Sequence, residues 1–251
     1  MGQREVRLTP VYLEDEILPG DDLLQKLSTA LRHQKTRFAG NDILVIKHKI
    51  ISKAEGRVVP LESVRPRKSA VSWGRRYRVD ARVIELALLK AKRVVRQKNG
   101  VLITETHHGF VCANSGVDAS NVDGGRSAVL LPEDPDRSAA RLRSQIKNAF
   151  GVSIAVIISD SFGRPWREGL TEVAIGVAGM KPLLDYRGKR DPHGYTLRAT
   201  AEAIADELAC AAGLVCGKLN RTPVCIVRGF NGHGSRGSAR DLVRKKNDLF
   251  R

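Results

Sequence analysis

The chain has 251 residues, of which 42% are hydrophobic, and its formal net charge is +16 at neutral pH. This length is sufficient for one sizeable core or for two small joined ones. No stretch approaches the ~18 uncharged apolar residues of a membrane span, and residues 1–5 lack the apolar core of a signal peptide. The sequence therefore predicts a globular, cytoplasmic protein that does not bind a membrane.

The positive charge predicts attraction to polyanions, which include nucleic acids and phosphorylated small molecules. Only 5% of the residues are aromatic, and the basic residues are scattered along the whole chain. Because proteins that bind single-stranded nucleic acid stack bases on aromatic side chains set among basic ones, this composition argues against nucleic acid as a partner. A basic nucleic-acid-binding protein stays an alternative on charge alone.

Apolar runs and amphipathic segments alternate irregularly, which predicts a mixed α/β (α+β) fold without regular βαβ units. The predicted strands cover residues 43–46, 101–104, 128–131, 154–159 and 224–227. The predicted helices cover residues 21–33, 79–98, 138–150, 200–215 and 238–246. Asp136 is the predicted cap of the helix over 138–150. The basic stretch 65–78 is predicted to be a surface loop or a connection between subdomains.

Two glycine-rich segments imitate nucleotide-binding motifs. Residues 213–218 resemble a phosphate loop, but one residue too few separates the glycines, and Leu219 stands where a hydroxyl should reach the metal. The prediction for this segment is a helix end, with Gly217 as the stop. Residues 232–237 fit Gly-x-Gly-x-x-Gly, yet too few residues follow for a returning strand. The fold is therefore predicted to be neither a P-loop nor a Rossmann fold.

Two aspartates each follow an apolar run and precede small polar residues. Asp118 is followed by Ser120 and Asn121, and Asp160 is followed by Ser161. Carboxylate and hydroxyl oxygens are ligands that Mg²⁺ and Mn²⁺ prefer, and such ions bridge substrate phosphates. Turn residues that cap backbone amides are the alternative for this spacing.

A small hydroxyl and two cations stand together after the first predicted buried strand, at Ser52, Lys53 and Arg57. Lysine and arginine can hold nucleotide phosphates, the first as a point charge and the second as a fork. A solvated turn explains the same residues equally well. The histidines are isolated or adjacent and the four cysteines form no Cys-x-x-Cys pair, which argues against a zinc site.

Six segments in fixed order carry a stronger signal than any one motif. They are residues 49–57, 109–122, 130–136, 157–164, 173–176 and 238–244. Together they resemble the F420-0:γ-glutamyl ligase family, and the resemblance covers nearly the whole chain in the ligase-only form. It implies a single domain over residues 1–251, built from two interlocked subdomains, and an intertwined homodimer that shares its active sites.

The resemblance implies GTP-driven amide synthesis. The γ-phosphate of GTP would activate the lactyl carboxylate of F420-0, and the amine of L-glutamate would displace phosphate. A second glutamate would be joined through the γ-carboxylate of the first. A carboxylate is a poor electrophile at neutral pH, so an acyl phosphate supplies the leaving group while metal ions offset negative charge. A glutamyl ligase of the same chemistry with a different acceptor is the nearest alternative.

The resemblance also assigns roles to particular residues. Asp118 and Asp160 match the acids that bind divalent metal, and Ser161 stands at the hydroxyl of a second metal site. Two Mg²⁺ or Mn²⁺ ions are therefore expected, with K⁺ as a further candidate. Catalytic roles are expected for Asp118, Asp160 and Lys53. The expected nucleotide contacts are Leu13, Glu14, Lys47, His48, Ser52, Lys53, Asn121, Gly217 and Lys218.

Overall fold

A computed structural model describes residues 5–120, 122–232 and 234–244. These residues form six α-helices and twelve strands. The helices are α1 (Leu23–His33), α2 (His48–Ala54), α3 (Lys68–Tyr77), α4 (Ala81–Lys90), α5 (Pro135–Phe150) and α6 (Ile204–Cys216). The strands are β1 (Arg7–Val11), β2 (Ile43–Lys47), β3 (Val58–Pro60), β4 (Ala91–Lys98), β5 (Val101–Thr106), β6 (Val111–Ala113), β7 (Ser127–Val129), β8 (Ala155–Arg164), β9 (Arg167–Ala178), β10 (Leu184–Asp185), β11 (Ala201–Glu202) and β12 (Val224–Arg228).

The largest sheet has five strands in the order β1-β12-β2-β8-β9. Only β2 and β8 pair in parallel within it, and the other neighbours are antiparallel. Strands β2 and β12 and the first five residues of β8 are almost entirely buried, which explains their continuous apolar sequences. This arrangement confirms the mixed α/β prediction, and the single parallel pair separates it from a Rossmann fold.

The buried side chains form two clusters. The larger one lies around the five-stranded sheet and includes residues of α1, α5 and α6. The smaller one is contributed by segments between Leu61 and Leu130, among them α3, α4, β5 and β7. The three-stranded sheet β4-β5-β6 and the two-stranded sheet β3-β7 lie in the same stretch of chain, which spans residues 58–130. That stretch therefore has a hydrophobic core of its own.

Helix α5 begins earlier than predicted, and a different aspartate caps it. The Asp134 carboxylate accepts a hydrogen bond from the amide N–H of Arg137, Pro135 occupies the first turn, and Gly151 ends the helix in the left-handed region. The prediction that Asp136 is the cap is wrong. Its carboxylate instead accepts hydrogen bonds from the amides of Val177 at 2.7 Å and Ala239 at 3.0 Å. Asp136 thus ties α5 to β9 and to the C-terminal segment.

The predicted helix over 79–98 is only half right. Helix α4 ends at Lys90, and the rest of the segment is strand β4, which pairs antiparallel with β5. The turn between them is Asn99-Gly100, and both residues have positive φ. This dipeptide favours the tight turn of a β-hairpin, so turn chemistry and tertiary pairing override the helical periodicity of the segment.

Two further basic segments depart from their predictions. Residues 65–78 are predicted to be a surface loop or a connection between subdomains, but they contain α3, because Ala70 and Trp73 pack into the smaller core. The helix predicted over 238–246 is a single 3₁₀ turn, Ala239–Leu242, closed by a capping box between Ser238 and Asp241. Residues 245 and 246 lie outside the described part of the chain.

The other predicted elements are confirmed within a few residues, including α1, α6 and the five predicted strands. Gly217 caps the end of α6, so the segment that imitates a phosphate loop is a helix end as predicted. Within the described ranges, none of the helices has the length and apolar character needed to cross a membrane.

Gly176 provides a test of packing between the sheet and α5. A Cβ atom at this position would lie 2.5 Å from the carbonyl oxygen of Pro135, which belongs to backbone that cannot easily move. We expect Gly176→Ala to lower the free energy of unfolding by ~1–3 kcal/mol because the helix must shift. Urea denaturation measures this change.

Gly163→Ala is the matched control, because Gly163 lies on β8 and the nearest atom to its added Cβ is a Leu170 methyl at 4.0 Å. Its effect should stay within about 0.5 kcal/mol. Equal effects of the two substitutions would contradict the packing argument.

Candidate active site

The site is built where β2 ends beside its parallel neighbour β8. Lys47, the last residue of β2, lies opposite Ser159 of β8. The chain then turns into α2 at His48, whereas β8 continues through Asp160 and Ser161. Because parallel strands point their carboxyl ends the same way, cationic side chains from one strand meet carboxylates from the other.

Asp160 faces His48. The Nε2 atom of His48 lies 3.3 Å from Oδ1 of Asp160, and the amide of Ser161 donates to the same oxygen at 2.7 Å. The other ring nitrogen, Nδ1, lies 3.3 Å from the hydroxyl of Ser52. Ser52, which is fully buried, therefore supports the imidazole and is not presented to the surface.

Asp118 approaches from the loop after β6. Its Oδ2 atom lies 2.7 Å from Nζ of Lys49, and the amide of Ser120 donates to Oδ1 at 2.7 Å. Lys49 also donates to the carbonyl oxygen of Ser120 at 3.1 Å. Asp118, the predicted metal ligand, is thus linked to the first turn of α2 through Lys49.

The two aspartates are close enough to act on each other electrostatically. Burial opposes ionisation of Asp160, but the neighbouring His48 and the Ser161 amide lower its pKa overall, while the charge of Asp118 acts in the opposite direction. Burial also opposes ionisation of Asp118, whose pKa is lowered overall by Lys49 and Ser120. The structure therefore brings together two ionised carboxylates that are 42 residues apart in sequence.

A third carboxylate, Glu172 of β9, was not singled out from the sequence. It is 7% exposed, and its Oε1 atom lies 2.5 Å from Nζ of Lys47 and 3.5 Å from Nζ of Lys218. The hydroxyl of Ser161 donates to the same oxygen at 2.8 Å. Burial raises the pKa of Glu172, yet the hydrogen bond and charge of Lys47 outweigh this and lower it overall. No local sequence motif marks Glu172, because a glutamate in a strand that contains both polar and apolar residues is common.

Three other predicted nucleotide contacts, Lys53, Leu13 and Glu14, have partners outside this carboxylate cluster. Lys53 is 8% exposed and lies 2.5 Å from Oε1 of Glu16. Glu14 lies 3.3 Å from Nδ1 of His33, and the amide of Leu13 donates to the carbonyl oxygen of Arg221. Leu13 and Glu14 line a groove of about 260 Å³ along one side of α1.

Lys218 and Gly217 lie in the turn after α6. The ammonium of Lys218 contacts the Ser161 hydroxyl as well as Glu172, so this turn meets β8 and β9. The backbone contact between Leu13 and Arg221 brings the N-terminal segment to the same turn. Asn121, also predicted to contact nucleotide, lies outside the described residues.

The oxygen atoms present suit a divalent cation of the Mg²⁺ type. Asp118 and Asp160 supply carboxylates, and Ser161 supplies a hydroxyl, all of them hard ligands. Within the described ranges, groups of three or more His, Cys, Asp and Glu side chains arranged to hold a metal are absent. Mg²⁺ commonly takes one or two protein carboxylates and completes its shell with water and substrate phosphates, so two aspartates fit it.

Cys112 lies beside this site but is not arranged as a nucleophile. Burial, together with the charge of Asp160, raises the pKa of its thiol to about 12. The thiolate is the reactive form of cysteine, and it is scarce at neutral pH under these conditions. The arrangement thus argues against acyl transfer through Cys112.

Comparison with known proteins identifies the family. The family model described as F420-0:Gamma-glutamyl ligase matches residues 14–229. The chain belongs to the F420-0:γ-glutamyl ligase family. This confirms the resemblance drawn from the six segments, and with it the presence of a ligase domain.

Several curated relatives carry the name coenzyme F420:L-glutamate ligase. The chain is 42% identical to the coenzyme F420:L-glutamate ligase of Methanothermobacter thermautotrophicus, over 92% of this chain and 93% of the relative. It is 41% identical to the protein of the same name from Methanopyrus kandleri, over 100% of this chain and 99% of the relative. For that from Methanocaldococcus jannaschii the identity is 44% over 84% of each chain.

The contact between Lys49 and Asp118 in this γ-glutamyl ligase family member can be tested by titration. In wild type, the carboxyl of Asp118 should titrate below the ordinary value of 3.8. Lys49→Ala removes the ammonium that stabilises the carboxylate while burial still opposes its charge, so the pKa should rise. Carboxyl ¹³C chemical shifts measured against pH report the midpoint. Lys49→Arg keeps the charge and serves as control; a midpoint unmoved by Lys49→Ala would contradict the assignment.

Proposed function

We propose that this ligase joins L-glutamate to coenzyme F420-0 with GTP as co-substrate, first at the lactyl carboxylate and then through a γ-linkage. The relatives' names support the acceptor and the amino acid. The observation that carries the proposal is the cluster where β2 ends beside β8. There Glu172 pairs with Lys47 and Lys218, Asp118 pairs with Lys49, and Asp160 faces His48. Every substrate in this reaction is an anion, and such a cluster attracts anions while retaining acids for a metal ion.

The reaction requires two displacements. A carboxylate oxygen of the acceptor forms a bond to the γ-phosphorus of GTP, and the bond to GDP breaks. The amine nitrogen of glutamate then attacks the acyl carbon, phosphate leaves with its oxygen, and the amine loses a proton. Both steps gather negative charge at one place, which fixed cations stabilise without reorganisation.

The chain's own cations are arranged for this task. Lys47 and Lys218 both contact one oxygen of Glu172, and Lys49 forms an ion pair with Asp118. Ammonium groups on lysine act as mobile point charges, so they can turn from a carboxylate to an arriving phosphate. Lys53, paired with Glu16 from the N-terminal segment, would fix the adjoining part of the nucleotide.

Asp118 and Asp160 would hold a Mg²⁺ or Mn²⁺ ion, and Ser161 would contribute to a second one, with K⁺ as a further candidate. Such an ion, when bound, offsets phosphate charge and polarises the transferring group. We further propose a cytoplasmic homodimer formed from single-domain protomers. Trp166 and Leu170, both exposed near the tip of hairpin β8–β9, supply apolar surface for such a contact.

Product mass tests the proposed reaction. Purified protein incubated with F420-0, L-glutamate, GTP and Mn²⁺ should yield products heavier by one and then two glutamyl units, with ATP and nucleotide-free samples as controls. Asp160→Asn should abolish metal-dependent turnover, because a neutral amide binds a divalent cation poorly. Gains with ATP equal to those with GTP would remove the GTP assignment. Protein that binds GTP but adds no glutamate would point to a different acceptor.

Substitution of Lys53 tests whether this residue acts on the nucleotide or on glutamate. Lys53→Ala removes a nearly buried ammonium that we assign to the nucleotide phosphates, so KM for GTP should rise by about tenfold or more while KM for glutamate changes little. Steady-state kinetics with each substrate varied in turn measures both values. Lys98→Ala, on the exposed strand β4, is the matched control. Equal increases in the two KM values would contradict the assignment.

A further inference from the structure

Glu172 has more polar partners than any single ion pair requires. Its Oε1 atom meets the ammoniums of Lys47 and Lys218 and the hydroxyl of Ser161, at 2.5, 3.5 and 2.8 Å. Its Oε2 atom accepts a hydrogen bond from the buried hydroxyl of Ser159 at 3.2 Å. The carboxylate therefore gathers side chains from β2, β8 and the turn after α6.

The charges around Glu172 do not balance. Two ammoniums share one carboxylate, which leaves a positive charge in excess. Lys47 is largely enclosed, whereas the side chain of Lys218 is 64% exposed. The excess positive charge therefore lies on the solvent-exposed side of Glu172, at Lys218. Two ammoniums this close repel each other unless an anion lies between them, and Glu172 is that anion.

The packing of α6 leaves room for this side chain. A Cβ atom on Gly213 would lie 2.7 Å from Cγ of Glu172. Glycine within a helix is less stable than alanine, so this position loses helix stability in return for close approach. The absence of a side chain at 213 lets Glu172 lie against the helix and reach Lys218, five residues further along the chain.

We propose that Glu172 is a positioning residue of the ligase reaction, which holds the ammoniums of Lys47 and Lys218 beside the Ser161 hydroxyl so that both meet the terminal phosphates of the nucleotide. This role rests on the proposed use of a nucleoside triphosphate. Without the carboxylate the two ammoniums separate, and the phosphates lose a preformed pair of contacts. Glu172 itself touches no substrate.

Nucleotide affinity measures this role directly. A non-hydrolysable GTP analogue, with its β,γ-bridging oxygen replaced by NH, is titrated calorimetrically with Mg²⁺ into the full-length protein. Glu172→Gln should weaken binding by about tenfold or more, because charged hydrogen bonds that orient two cations are lost. Glu172→Asp keeps the charge and should recover most of the affinity. Wild-type affinity in Glu172→Gln would overturn the proposal.

Two further variants separate positioning from folding. Glu85→Gln removes the charge of a buried carboxylate on α4 that is paired with Arg67 at 2.7 Å, so it should affect stability but leave nucleotide affinity unchanged. Gly213→Ala displaces Glu172 without changing any charge and should weaken binding in the same direction as Glu172→Gln. Unchanged affinity in Gly213→Ala, with wild-type stability, would count against the proposal.

A double-mutant cycle with Lys218→Ala completes the test. If Glu172 acts through Lys218, Glu172→Gln should cost less affinity in the Lys218→Ala background than in wild type. Fully additive losses would overturn the action through Lys218. If wild-type protein binds no nucleotide at all, the proposed function itself fails. If wild type binds and Glu172→Gln binds equally, only the positioning role fails.

Discussion

The parallel pairing of β2 with β8 is the constraint on which the rest of the structure depends. It places Lys47 opposite Ser159, so the next residues of each strand, His48 and Asp160, come into contact. A register shift of one residue would move every one of these side chains to the other face of the sheet. The apolar side chains of both strands pack on both faces of the sheet, so such a shift would break that packing. The hydrophobic core thus holds the site in register.

The concentration of charge at the strand ends is explained by function better than by stability. Buried ion pairs contribute little net free energy, since desolvation offsets most of the attraction. Glu172 nevertheless lies buried among two lysines and two serines, and α6 approaches it through a glycine. An apolar cluster would fill that space at lower cost. The charged arrangement instead leaves cations in excess at an open edge, which suits the binding of phosphates.

Much of the fold follows from local sequence. Continuous apolar runs identified β2, β8 and β12, and the end of α6 at Gly217 followed from the glycine alone. Errors occurred where two local signals competed. Asn99-Gly100 turns the chain into a hairpin, so the second half of the helical pattern over 79–98 is strand β4. Asp134 and Asp136 both suit a helix cap, and only the packing of α5 on β9 decides between them.

The sequence by itself determined the family, the mixed α/β class and most of the residue types at the site, because ordered motifs and apolar periodicity are local properties of the chain. Tertiary structure alone decided which of these residues meet. Lys47 and Glu172 are 125 positions apart, and their contact depends on the order of strands β2, β8 and β9 and on the face that each side chain occupies. Strand order and face are set by how the whole core packs, so a carboxylate with no motif around it lies between Lys47 and Lys218.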